Sequence, residues 1–229
     1  MTHLVTGAGS GIGAALARTL HGRGDDLLLV ARSDERADDL RRDFPGAETL
    51  VADLADPEGL ERVLVSTSLP DRIDSLVHAA GQFEIGPVAD FDLGDWQRQL
   101  AVNLTSAALL TRAVLPALRA TGGTVVFVNS GQGLNASPAW SAYAASKFGL
   151  RAFADALRAE EAEHGVRVTS VFPGRTATPM QEKVHEQEGK KYDAGDWSTP
   201  ETVARTILHV LDLPADSVIP DVMLRPRPR

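Results

Sequence analysis

The sequence predicts an α/β fold, a single domain built on a doubly wound, seven-stranded parallel sheet flanked by helices. Three observations predict it. Short apolar runs alternate with helical patterns along the whole chain. Those runs are apolar at successive positions, as strands covered on both faces require. A glycine-rich turn links the first run to the first helical stretch. The 229 residues, 43% hydrophobic and 24% charged, suffice for one large core.

The elements follow in order. The first strand is expected at His3–Thr6, before a helix over Gly11–Arg23 with Ile12, Leu16 and Leu20 on one face. Strands are expected at Leu27–Ala31, Glu48–Ala52 and Ser75–Ala79, with short helices at Asp34–Arg42 and Pro57–Ser66 between them. Asp92–Leu118 reads as two helices or one bent one. Thr124–Asn129 and Arg167–Phe172 are strands around a long Ala-rich helix, Ser141–His164. Thr199–Leu211 opens with a capping hydroxyl and a first-turn proline, and Ser217–Val222 is the last strand. Strands joined in this way need right-handed crossovers. The polar stretch Thr178–Ser198 breaks the rhythm and reads as a disordered excursion or a lid, with Met180 and Val184 able to turn inward. The tail Leu224–Arg229 alternates with proline and is expected to run extended on the surface, at a subunit contact.

Composition excludes several classes. With no cysteine, disulfide scaffolds, Cys-ligated metal sites and thiol nucleophiles are impossible. A net charge of −8 is a poor match to nucleic acid, which needs a basic face. No apolar run approaches the ~18–20 residues of a membrane span, and the start has no basic-then-apolar leader pattern. The expectation is a cytoplasmic protein with neither nucleic-acid nor membrane partners.

The turn Thr6-Gly7-Ala8-Gly9-Ser10-Gly11-Ile12-Gly13 lies after a strand and opens a helix, the context a dinucleotide-binding turn requires. Gly7 permits a tight turn, Gly11 lets backbone approach a pyrophosphate, and Gly13 allows close helix–strand packing. The helix N-terminus offers unpaired N–H groups to the anion. An acid at the end of the second strand would select NAD(H) by binding the ribose 2′-hydroxyl. Here Arg32 and Ser33 stand there instead, and a guanidinium suits a 2′-phosphate, so NADP(H) is expected over NAD(H). Asp53, followed by Leu54, could accept the adenine amino group or simply cap a turn.

Tyr143 and Lys147 stand at i, i+4 on the long helix, one turn apart on one face. Ser130 follows the fifth strand, where open parallel sheets meet ligands. Asn103 lies inside a predicted helix, where Asn has no propensity advantage.

On these motifs the chain resembles the short-chain dehydrogenase/reductase family, with its Rossmann fold, over nearly its whole length. The glycine motif is Thr6–Gly13, the Tyr-x-x-x-Lys pair is Tyr143 and Lys147, and Ser130 precedes the tyrosine at the usual spacing. Asn103 matches the fourth catalytic member, and Pro173-Gly174 with Thr176 and Thr178 matches the motif after the sixth strand. One motif departs: the family's Asn-Asn-Ala-Gly is His78-Ala79-Ala80-Gly81 here. Gly81 still permits close approach to cofactor, the asparagine that braces the sheet is missing, and His78 reads as a packed strand residue.

The resemblance implies a metal-free hydride transfer between NADP(H) and a small carbonyl or alcohol. Tyr143 would be the general acid or base, its pKa lowered by the Lys147 ammonium. Lys147 would also bind the nicotinamide ribose, Ser130 would hold the substrate oxygen, and Asn103 would help place a relay water. Ala79, Ala80, Pro173, Gly174, Thr176 and Thr178 would border the cofactor. Gln82, Phe83, Gln132, Leu134, Trp140, Arg175 and Met180 are the expected substrate pocket, with Gln132 and Arg175 hinting at a polar substrate and Leu134, Trp140 and Met180 at an apolar one. Family members are mostly dimers or tetramers, so a homodimer or homotetramer is expected. Two other readings compete. A non-enzymatic dinucleotide sensor or scaffold would commonly lack the Tyr or Lys. A sugar-nucleotide epimerase or dehydratase would need a longer C-terminal substrate domain.

Overall fold

The computed structural model describes residues 1–227. One sheet of seven parallel strands forms the centre, in the order β3-β2-β1-β4-β5-β6-β7. These are β1 (Thr2–Thr6), β2 (Asp26–Ala31), β3 (Glu48–Val51), β4 (Ser75–His78), β5 (Thr124–Val128), β6 (Arg167–Pro173) and β7 (Asp221–Leu224). The order reverses between β1 and β4, whose register pairs Val5 with Val77. That reversal opens a crevice at the carboxyl ends of the strands.

Helices cover both faces. On one, α1 (Gly11–Gly22), α2 (Asp34–Asp43) and α8 (Pro200–Leu211) bury Leu16, Leu20, Leu40 and Ile207 against Val5, Leu29 and Val171. On the other, α3 (Pro57–Ser66), α4 (Leu93–Leu100), α5 (Ser106–Arg119) and α6 (Ser141–Glu161) complete the layer, with Leu110, Val114 and Leu150 packed on Leu4, Leu76 and Phe127. Alternate residues of β1 thus feed opposite cores, Leu4 one way and Val5 the other, which is why the strands read as unbroken apolar runs.

Some expectations are made more specific and others change. The bent helix at 92–118 is α4 and α5 joined through a π-helical turn, Ala101–Thr105. Together Leu93–Arg119 forms a helix of 27 residues whose length and hydropathy would permit a membrane crossing, although the sequence runs had suggested none. Its inner stripe, Leu110, Val114 and Leu118, is packed on the sheet beside buried Gln99, Asn103, Ser106 and Thr111. The polar stretch after Thr178 is ordered. It forms α7 (Pro179–Gln187) because the Thr178 hydroxyl accepts from Gln181 N and Pro179 pre-sets the first turn. The last strand lies later than predicted: Pro220 has no N–H for the ladder but its carbonyl accepts from Ser170 N at 2.8 Å, and pairing runs from Asp221 to Leu224. Beyond it, Arg225 is non-helical and exposed as expected, with its Nη1 donating to the Phe172 carbonyl at 3.0 Å. The last two positions of the expected tail lie outside the described residues.

Candidate active site

The carboxyl ends of the strands open into one cavity of about 1060 Å³. The glycine turn forms one end. Gly7 has φ +73°, and a Cβ there would lie 2.7 Å from Ala80 N. Gly11 has φ +54° and faces the Thr178 methyl, so the turn and the start of α7 close on each other. A Cβ at Gly13 would lie 2.3 Å from the Gly7 carbonyl oxygen, so α1 can seat on the turn only without a side chain there. Ser10 stands at the α1 N-terminus with no side-chain cap bond, leaving its hydroxyl beside the unpaired N–H groups.

Most residues expected to border a cofactor line this cavity: Gly7, Gly9, Ser10, Gly11 and Ile12 from the turn, Arg32, Asp53 and Leu54 from the β2 and β3 ends, and Ala79–Gly81, Pro173, Gly174, Thr176 and Thr178 opposite. Thr6, Gly13 and Ser33 do not line it, because each is spent on shape. Thr6 Oγ1 accepts from Ala79 N and Ala80 N at 3.1 and 3.0 Å, tying β1 to the loop after β4. Ser33 caps α2 by accepting from Arg36 N at 3.3 Å. Asp53 accepts from Ala55 N at 2.9 Å and also faces the cavity, so both readings of it hold geometrically. A residue the sequence reading missed, Arg36, reaches over Gly9 and pairs with Asp39. The sequence marks it only as a second arginine soon after Arg32.

The other end brings Ser130, Tyr143 and Lys147 together. Asn129, also missed, positions two of them: its Oδ1 accepts from Ser130 N at 2.8 Å and its Nδ2 donates to the Lys147 carbonyl at 3.1 Å. Lys147 Nζ donates to the Val128 carbonyl at 3.0 Å and lies 5.8 Å from the centre of the Tyr143 ring. Burial holds the Lys147 pKa down at about 8. It pushes the Tyr143 phenol up to about 12, and a hydrogen bond with Ser130 opposes this only in part. The expected lowering by Lys147 is thus not seen, since loss of solvent around a buried phenolate outweighs it.

Asn103 is buried in the π-turn. Its Nδ2 donates to the Gln82 carbonyl at 2.7 Å and to Ser146 Oγ at 3.0 Å, while Oδ1 accepts from Gln82 N at 2.8 Å. It therefore fixes the Gly81–Gln82 wall against α6. His78 is the packed residue expected, with Nε2 2.9 Å from Thr111 Oγ1 and its ring stacked 5.0 Å from Phe127. Burial, with Lys147 nearby, lowers its pKa to about 3.

Of the expected substrate pocket, Gln82, Phe83, Gln132, Trp140, Arg175 and Met180 line the cavity. Leu134 does not, because the 3-10 turn Gly131–Gly133 carries it past the opening and Asn135 lines it instead. Val184 of α7 is buried against Phe83 and Tyr143.

Comparison with known proteins agrees with this geometry. The model of the short chain dehydrogenase family matches residues 1–189. Dehydrogenase/reductase SDR family member 7B of Bos taurus is 34% identical over 226 residues, covering 91% of this chain and 69% of that protein. An oxidoreductase of Staphylococcus epidermidis is 29% identical over 97% of this chain and 96% of its own. Among solved structures, the closed form of serine dehydrogenase complexed with NADP+ superposes with a TM-score of 0.86 at 26% identity, over 99% of this chain and 95% of that one. With its fold and cavity, the chain is an oxidoreductase belonging to the short-chain dehydrogenase/reductase family.

Proposed function

We propose that the protein interconverts a carbonyl compound and its alcohol using NADP(H) in preference to NAD(H). The observation that carries this reading is the shared cavity, with a phosphate-type glycine turn and two arginines at one end and Ser130, Tyr143 and Lys147 at the other. The residues fit the dinucleotide. The α1 N-terminus and Ser10 would hold the pyrophosphate, Arg32 and Arg36 the 2′-phosphate, and Asp53 the adenine amino group. Thr176 and Thr178 would hold the carboxamide. When bound, the nicotinamide supplies or accepts the hydride.

Reduction builds negative charge on the substrate oxygen, which needs a proton and a hydrogen-bond donor close by. Tyr143, held protonated by burial, gives the proton. The Ser130 hydroxyl donates to the same oxygen. Lys147, cationic at neutral pH, steadies the phenolate left on Tyr143 and binds the ribose hydroxyls. Both N–H donors of Asn103 are occupied, so a relay water beside it would be taken by its acceptor oxygens. A nucleotide sensor would have no use for the buried phenol with its serine partner.

The test is NADPH and NADH oxidation over ketones, aldehydes, quinones, keto-sugars and steroids, wild type against Tyr143→Phe. Turnover lost in the variant with cofactor binding kept supports the reading. Tight nucleotide binding without turnover in either direction overturns it in favour of a sensor.

A further inference from the structure

We propose that the substrate is an uncharged carbonyl compound bearing an aromatic or bulky apolar group beside its C=O, seated against Phe83 and Trp140. This rests on the oxidoreductase reading above and names the substrate class of that site.

The first support is the wall leading to the reacting phenol. Trp140 stacks on Phe83 at 6.3 Å and meets Tyr143 edge-on at 5.6 Å. Val184 closes the cluster from α7, and Met180 lines the same cavity. A substrate oxygen held between Ser130 and Tyr143 therefore places its attached group on aromatic and aliphatic surface.

The second support is backbone strain. Ala139 has φ +66°, the one non-glycine residue in the left-handed region among the described residues. Its carbonyl accepts from Gly86 N at 2.8 Å, and Trp140 follows at once. Such strain persists where surrounding structure enforces it, and here it fixes the approach of the indole.

The third support is that most of the polar side chains around this end, Gln82 and Asn135 aside, pair with one another. Arg175 grips both oxygens of Glu188, at 2.7 and 2.9 Å, with its guanidinium 5.5 Å over Trp197. Glu188 also accepts from Lys190 at 3.1 Å. The Gln132 amide is used on Ser137, at 2.9 and 3.0 Å. Lys183 goes to Glu84 at 3.1 Å. A carboxylate substrate reaching for Arg175 would leave the largely buried Glu188 with the exposed Lys190 as its one cationic partner, whereas an apolar group breaks no pair. The competing anchor for an anion is Arg225, exposed near Gly131, with its Nη1 committed to the Phe172 and Leu224 carbonyls.

The test uses the full-length enzyme with NADPH, comparing benzaldehyde and acetophenone with succinic semialdehyde and an aliphatic 3-oxo acid. The expected result is kcat/KM at least about tenfold higher for the neutral aromatic compounds, the scale of discrimination in apolar pockets. Trp140→Ala should raise their KM about tenfold or more while the KM for NADPH stays unchanged, and Trp140→Phe should restore most of the loss. Equal or reversed preference overturns the proposal. If only the oxo acids turn over, with loss on Tyr143→Phe and a raised KM on Arg225→Gln, the substrate class is wrong and the oxidoreductase reading stands. If neither set turns over, the substrate class is wrong, and turnover over the quinones, keto-sugars and steroids of the broader panel decides the oxidoreductase reading separately.

Discussion

Lys147 Nζ donates to the Val128 carbonyl at 3.0 Å, tying the reacting face of α6 to the last residue of β5. The ammonium is buried and its pKa is lowered to about 8, so it loses charge just above neutrality. In the reductive direction, kcat/KM for NADPH, which reports the free enzyme, should fall as pH rises through about 8. Lys147→Arg keeps its charge throughout and should show a lower but flat profile over that range. A pH series of initial rates checks this.

Tyr143→Phe removes the proton donor but little volume. The expected loss in kcat is about 10²–10⁴-fold, the usual contribution of a general acid. Cofactor affinity, read by NADPH fluorescence titration, should stay within about twofold, because the ribose contact belongs to Lys147.

Arg32 and Arg36 face the same end of the cavity from the end of β2 and the first turns of α2. Each should contribute a charge-assisted bond to a 2′-phosphate, about 1.5–3 kcal/mol. Arg32→Ala and Arg36→Ala should each raise the Kd for NADPH about 10- to 100-fold and leave NADH nearly unchanged. Equal Kd values for both cofactors in the wild type would remove the basis for NADP(H) preference.

His78 is neutral in its buried site, with a pKa near 3 against an ordinary 6.5. Between those values the unfolded chain binds the extra proton, so this group makes stability rise with pH from about 3 to 6.5 and fall on acidification. Buried His3 acts in the same sense, so the comparison with a variant isolates His78. Denaturant melts at pH 6.5 and 4.5 should show wild type losing about 2–3 kcal/mol more than His78→Gln.

Much of the fold was legible because both faces of the sheet are covered, so Leu27–Ala31 and Thr124–Val128 announce themselves as apolar runs. Tyr143 and Lys147 were legible because helical spacing alone puts them one turn apart. What escaped depends on the third dimension. Arg36 required knowing that α2 starts beside the glycine turn. α7 carries the same Thr-Pro opening as α8, and Val184 does turn inward as its spacing from Met180 suggested, but the polar composition hid both the helix and the burial of His185. The Tyr143 pKa turned on burial, which spacing does not report. Gln132 and Arg175 looked like free polar contacts until their partners, Ser137 and Glu188, were in place.

The wide turn at Ala101–Thr105 has a consequence for how the chain tolerates change. It lets two stretches of one helix answer to different masters: Asn103 must meet Gln82 and Ser146, while Leu110, Val114 and Leu118 must meet the sheet. Each residue advances a helix by about 100°. Removing any single residue there would therefore rotate one stretch against the other, leaving either the wall of the cavity or the stripe of the core facing the wrong way. Substitutions in this segment should be forgiven far more readily than changes of length, so the turn works as a phase setting, and its residue count is itself the information it carries.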